Sequence, residues 1–593
     1  MGVHRFRKFI KRRGAGFAIL LVFMILAIVF TRPMITKGSN HTYKELYDPT
    51  FQAWTLAWDV RALTHNPLNL FNANIFFPNR YTLAYSDHQV ATAVMAMPLM
   101  GITQNPIQTA NYLLIFNFFL CEVGAYLLVM HLTRSRFASV VSGIAFAFAP
   151  PRLAQMGHLQ LSAAAFIPLC LLFLHRYSEE GRPRDAVLSG LFLVLETLST
   201  WYYGMILAFA ILVFLIVRLV MKRKAFTLKW TATFAVVIAA AVLLVVPFGL
   251  PYQRIHDRDP RFQRSIEEVD LFSADVRDFT AASQESLVWG NVTAGAREEA
   301  NKRGGRTERS LFPGLIPFVL GIAGAAYLLS KGKGAARFDV RYYVALAVAA
   351  FVMCLGTSLY FFGHRFAIPM PYHLFYYAFP GFKVMRVPAR FTILISLSLA
   401  VLSGFAVKGL LSWLARRGKG RVVFMLLISV VIPALLLADL MPASLPMTRV
   451  PLKNEFPKVY TWLKEQPGEA PTVELPLADY NPRTFNAGIQ YEPTWAEREG
   501  PRTYFSTLHW KKIFNGYSGF IPSTYYDGVR ATSDFPSQGS MDFLKKMGIQ
   551  FVIVHGKLLE PARLQSVLDW DARHGDFNLV GKFGDDFAYR IDK

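Results

Sequence analysis

The stretch YDPTFQAW, Tyr47 to Trp54, places a carboxylate, Asp48, directly before Pro49 and ahead of two aromatics set around Gln52. Asp is a favoured helix N-cap and Pro suits the first helical position. The spacing predicts a helix to about residue 64. On it Asp48, Gln52, Thr55 and Asp59 form one polar stripe, while Phe51, Trp54 and Trp58 form another. Such a helix is expected to lie at a membrane surface, with its Trp residues at the interface and its polar stripe facing a cavity. A capping role for Asp48 and a role in that cavity are compatible.

Other groups of chemistry-bearing residues are short and scattered. Asp87 and His88, in AYSDHQ, could orient a substrate, bind a metal or form a satisfied interfacial pair. His158 and Gln160, in GHLQL, sit near Arg152 and Gln155 and form a polar cluster; a lone His there is often structural. Lys383, Arg386 and Arg390 precede an apolar run. Arg presents a planar fork suited to phosphate oxygens, so an anionic headgroup is one reason for such cations. A snorkelling belt is the other. Glu196 and Glu308 flank further runs and are cavity candidates. Tyr504, His509, Trp510, Asn515 and Tyr517 could stack on a sugar or pack a core. The Arg-rich loop around Arg254, Arg258, Arg261 and Arg264 carries interleaved acids and reads as a solvated face.

These residues must be positioned by membrane helices. Of the 593 residues, 53% are hydrophobic and 17% charged, below the roughly 25% charge of soluble chains. About eleven apolar runs reach or approach spanning length, the first at 15–31 and the last at 422–441. The net charge of +23 is unevenly placed. Residues 1–13 and the short loops 134–136, 176–185, 218–229, 331–341 and 416–421 hold 24 of the 63 Lys and Arg against four acids. That is a positive-inside pattern, and it argues against a nucleic-acid partner.

With the N-terminus in the cytoplasm as an uncleaved anchor, the long polar pieces fall on the other side. They are loop 32–107, the segments 151–161 and 199–204, loop 249–310, loop 361–390 and the tail. The expected fold is therefore a polytopic α-helical membrane domain, 1–441, followed by an extracytoplasmic α/β domain, 442–593. In that tail, 455–463 and 541–548 read as helical, and TVELPL, IQFVIVH and FAYRI as strands. Cys121, Cys170 and Cys354 all fall in apolar runs and suggest no disulfide framework. No P-loop, HExxH, GxSxG or CxxC pattern is present.

A first span followed by a large outer loop that opens with an acid before a surface helix resembles the GT-C superfamily of membrane glycosyltransferases. NLFNANIFFPNRYTLAYSDHQ (69–89), QMGHLQL (155–161), LFPGL (311–315), PGFKVMRVPARF (380–391) and NGYSGFIP (515–522) resemble a bacterial, YfhO-like branch. The resemblance covers most of the chain and rests on motif order. It implies a polyprenyl-phosphate sugar donor, an envelope glycan, lipid or protein acceptor, surrounding membrane lipids, and a site outside a bacterial cytoplasmic (inner) membrane. It puts Asp48 in the place of the first-loop catalytic acid, as general base of a single inverting displacement. Lys383, Arg386 and Arg390 would then hold the donor phosphate. Gln52, Asp59, Asp87, His88, Arg152, His158, Gln160, Glu196 and Glu308 would line the substrate cavity. No second acidic pair accompanies Asp48, so dependence on a divalent metal, Mg or Mn, stays open.

Two other classes compete. A transporter or flippase would use ionisable groups near the midplane. Glu122 is the clear intramembrane acid, and no paired broken helices stand out. A non-catalytic envelope-polymer-binding protein would leave Asp48 dispensable.

Overall fold

Lipid offers backbone N–H and C=O groups no partner, so apolar runs of spanning length fold as helices. A computed structural model of the chain describes residues 2–222, 226–331, 334–379, 381–416, 421–478 and 495–592. Parts of the basic loops 218–229, 331–341 and 416–421, and Pro380 of PGFKVMRVPARF, lie outside the described residues. Among the described residues, seven helical stretches are long and apolar enough to cross a membrane: Pro106–Thr133, Arg136–Ala154, Leu159–Glu180, Trp201–Met221, Leu228–Arg258, Pro388–Ala415 and Val422–Leu440. Shorter apolar helices cover Gly14–Phe30, Val90–Thr103 and Leu315–Tyr327. The chain is a multi-pass membrane protein.

In chain order the helices used below are α1 (Gly2–Phe30), α2 (Asp48–His65), α3 (Val90–Thr103), α4 (Pro106–Thr133), α5 (Arg136–Ala147), α6 (Phe166–Glu180), α7 (Pro183–Ser199), α8 (Trp201–Lys222), α9 (Leu228–Arg258), α10 (Leu315–Lys331), α11 (Gly334–Cys354), α12 (Thr392–Ala415), α13 (Arg421–Leu440) and α14 (Trp495–Phe505). The central helix α12 is buried along most of its length and packs against α10, α11 and α5. Gly324 permits the closest of these approaches, since a Cβ there would collide with the Leu402 carbonyl. By contrast α9 and α13 keep apolar side chains such as Leu243, Leu244, Leu426 and Val430 exposed, as lipid-facing helices should. The fourteen-residue α3 lies inside what reads in sequence as polar loop 32–107. It is apolar but too short to span, and it packs on α2, α4 and α7.

Two short strands tie the start of the chain to the start of the tail. β1 (His41–Tyr43) pairs antiparallel with β2 (Met447–Arg449), Thr42 opposite Thr448. The tail then builds a four-stranded sheet from β3 (Thr472–Leu475), β4 (Phe551–His555), β5 (Phe577–Phe583) and β6 (Asp586–Ile591). Its order is β3-β4-β6-β5, with β3 and β4 parallel and the remaining pairs antiparallel. β3, β4, β6 and the helix at Gln538–Lys546 fall where periodicity expects them, while β5 has no counterpart among the expected strands.

The placement of α2 differs from expectation. It does not lie on lipid. Phe51 (4% exposed), Trp54 (0%) and Trp58 (9%) share one core with tail residues including Val473, Trp495, Tyr517 and Tyr589. Trp54 stacks on Phe51 and Trp58, and Trp58 packs on Trp510. Local periodicity separates an aromatic stripe from a polar one but cannot say what covers the aromatics. Here protein covers them.

A candidate active site beneath the tail

Asp48 is the first residue of α2, and Tyr47 occupies the cap position. The Asp48 side chain makes no capping bond. Instead its Oδ1 accepts a 2.6 Å hydrogen bond from the Tyr517 hydroxyl, and its Oδ2 lies 3.4 Å from His158 Nε2. The side chain remains 25% exposed. It faces a cavity of about 830 Å³ whose walls include Gln52, Asp87, His158, Gln160, Lys383, Arg386 and Arg390. Burial works to raise the Asp48 pKa. The hydrogen bond and charge of His158, the Tyr517 bond and the charge of Arg386 overcome it and hold the carboxyl below its ordinary value. The carboxylate is therefore ionised at neutral pH.

Not every candidate reaches this cavity. Asp59 is fully buried and its Oδ2 accepts from the Gln89 N–H at 2.8 Å. Burial outweighs that bond and pushes its carboxyl up to about 7. Gln52 does line the cavity, and its Oε1 accepts from Gln89 Nε2 at 2.6 Å. Asp87 and His88 do not act as a pair, since Asp87 lines the cavity and His88 does not. Asp87 faces the cavity and accepts from Thr200 at 2.8 Å, with its pKa raised by burial. The His88 ring is fully buried among Phe71, Trp201, Phe248 and Tyr252. Burial drives its pKa down to about 4, so it is neutral.

Arg152 also lies off the cavity, 6% exposed. It donates to the Ala147 and Ser162 carbonyls at 2.7 and 3.0 Å and packs on Phe118 and Phe146. It thereby braces the turn that carries His158 and Gln160. Glu196 is buried within α7 and does not line the cavity.

The three cations divide as well. Arg390 directs Nε and Nη2 at one Glu308 oxygen, at 3.2 and 2.6 Å, and lies over the Tyr202 ring. Glu308 also accepts from Gln155 at 2.8 Å. Burial works to raise the Glu308 pKa, but the Arg390 charge holds it low. Glu308 thus fixes Arg390 from behind the wall and does not line the cavity itself. Arg386 stacks on Phe272 and its Nη1 is 4.0 Å from Glu268. Lys383 is exposed to the cavity, with no ion-pair partner among the described residues. The open positive charge is therefore on Lys383 and, in part, Arg386.

Several lining residues carry no strong sequence signal. His256, Arg261 and Arg264, from the charged loop read as a solvated face, line the cavity instead. Arg264 stacks on Phe520 at 3.7 Å, pairs with Glu268 at 3.0 Å and donates to the Gly519 carbonyl. Tyr517 is the most consequential, because 469 residues separate it from Asp48. Its sequence hint is its place in NGYSGFIP. Tyr504, His509 and Asn515 of the same aromatic-polar set are buried in the tail.

Among the described residues, one group of three His, Cys, Asp or Glu side chains has donor atoms within 4.8 Å of one another: His175, Glu179 and Asp339. None of its members lines the cavity. The residues around Asp48 do not make such a set.

The helical body and tail match solved membrane enzymes throughout. An arabinofuranosyltransferase, AftD, from Mycobacteria is 16% identical with a TM-score of 0.56, covering 97% of this chain and 40% of that one. The oligosaccharyltransferase AglB from Archaeoglobus fulgidus, solved with an inhibitory peptide and a dolichol-phosphate, is 13% identical with a TM-score of 0.52, covering 98% and 75%. This chain thus spans well under half the length of the mycobacterial enzyme. The fold is that of the GT-C membrane glycosyltransferases. A family model described as Domain of unknown function (DUF6311) matches residues 17–435, and the chain belongs to that family. No curated protein matches it in sequence.

Proposed function

We propose that the protein transfers a sugar from a polyprenyl-phosphate donor to an envelope acceptor at the outer face of a bacterial cytoplasmic membrane, with inversion at the anomeric carbon. The observation that carries this reading is the convergence on one cavity of an ionised Asp48 and the cations Lys383 and Arg386, in a GT-C fold. Asp48 takes the proton of the acceptor hydroxyl as its oxygen bonds to the anomeric carbon. The bond from that carbon to the phosphate oxygen breaks, and polyprenyl phosphate leaves without a proton. Lys383 and Arg386 meet its charge, which is the electrostatic share of the catalysis. Arg390, held by Glu308, is the third phosphate-facing cation. His158 and Tyr517 hold the Asp48 carboxylate, while Gln52, Asp87 and Gln160 offer polar contacts to sugar or acceptor.

In this reading the N-terminus is cytoplasmic, about eleven segments cross the membrane, and the tail from 442 is outside. The test is reconstitution in vesicles with polyprenyl-phosphate sugars, scoring release of polyprenyl phosphate. Turnover by the wild type that is lost in Asp48→Asn supports it. Turnover that survives in Asp48→Asn removes the base assignment. Movement of donor or lipid across the bilayer without sugar release favours a flippase.

A further inference from the structure

A second constellation lies far from the cavity. His175 and Glu179 sit one turn apart on α6, and so share a face. Asp339 lies on α11, one turn before Tyr343. His175 comes nine residues into α6, about 14 Å along its axis from Phe166. The segment just before α6 holds Gln160, which lines the cavity, so the constellation sits toward the other end of these helices.

The geometry is that of co-ligands. His175 Nδ1 is 3.3 Å from Asp339 Oδ1. Two ligands on a tetrahedral zinc, each about 2.0–2.1 Å from it, stand about 3.3 Å apart. One donor atom from each of His175, Glu179 and Asp339 falls within 4.8 Å of the others. The far nitrogen, Nε2, is 3.2 Å from the Tyr343 hydroxyl. A metal-bound histidine usually has its other ring nitrogen so engaged, which fixes the tautomer that points a lone pair at the ion. His175 and Asp339 are buried, with side chains 1% and 4% exposed, while Glu179 reaches the surface at 32%. His131, at the end of α4, brings Nε2 to 3.1 Å from Glu179 and flanks the set.

We infer that His175 Nδ1 and the carboxylates of Glu179 and Asp339 form a binding site for a divalent transition metal, with zinc the best fit to this mixed nitrogen–oxygen set. The ion would clamp α6 to α11. This site is independent of the glycosyl-transfer reading.

The test uses the full-length protein in detergent, stripped with EDTA and then dialysed against zinc, with bound metal read by elemental mass spectrometry and unfolding followed thermally. The wild type is expected to retain about one zinc per chain above background and to unfold at higher temperature with zinc than without. His175→Gln and Asp339→Asn should lose both effects. Glu179→Gln, at a partly exposed position that leaves the buried pair intact, should weaken zinc binding at least about tenfold. Tyr343→Phe should keep the site but weaken it, roughly tenfold as for other outer-shell partners. Equal zinc content in the wild type and Glu179→Gln overturns the site, as does a wild type that binds none. Binding of manganese but not zinc overturns the choice of ion.

Discussion

Asp48 is held on both carboxylate oxygens yet stays open to the cavity, and that arrangement has a readable pH signature. Tyr517→Phe removes a hydrogen bond that favours the ionised form, so the Asp48 pKa rises. The acid limb of kcat/KM should then move to higher pH by about one unit or more, since a hydrogen bond to a charge contributes about 1.5–3 kcal/mol. A shift toward lower pH would refute the assignment. Asp48→Asn should lower kcat by about 100-fold or more, the usual share of a general base. Asp59 gives the opposite kind of signal. Its carboxyl is raised to about 7 in the folded chain. Between about pH 4 and 7 the folded state therefore holds a proton that the unfolded state has released. Stability from this group is full below that window and is lost as pH rises through it. Asp59→Asn should flatten the fall, as measured by unfolding midpoints across pH. Arg390 and Glu308 form a nearly buried pair. Removing Arg390 alone should destabilise by about 3–5 kcal/mol, and adding Glu308→Gln should recover part of that loss.

At the scale of elements, α2 carries the site and the stability together. Trp54 is fully buried at the junction with the tail. Trp54→Ala should cost about 3–5 kcal/mol and show as a lower unfolding midpoint in detergent even where Asp48 is untouched. The sequence foretells α2 itself from Asp48–Pro49 and its two stripes, and it foretells most of the tail's strands from alternation. It points the aromatic stripe at lipid because period says which side chains share a face, not what lies opposite. The silence over His256, Arg261 and Arg264 has another cause: mixed charge looks alike whether it meets water or a wall of Phe520 and Gly519.

At the scale of the molecule, distant pieces of chain compose one cavity. Lys383, Arg386 and Asp48 could be grouped by the side of the membrane they should share, since topology is written in the placement of Lys and Arg. Tyr517 could not, because nothing local ties residue 517 to residue 48. The shared core also bears on how separable the tail is. Deleting residues from 442 onward strips the partners of Phe51, Trp54 and Trp58. The shortened chain is expected to lose its monodisperse peak on size exclusion, beyond losing turnover. A stable, well-behaved 1–441 fragment would count against that.

The pairing of β1 with β2 has a mechanical side. A tail pinned at its root by two strands, and again by α14 against α2, is a buttress and cannot swing as a lid. Traffic into and out of the cavity then falls to the segment of Tyr377 and Phe379, which line it and stand exposed. In the proposed reaction that segment is the place where a long-tailed lipid would arrive and depart.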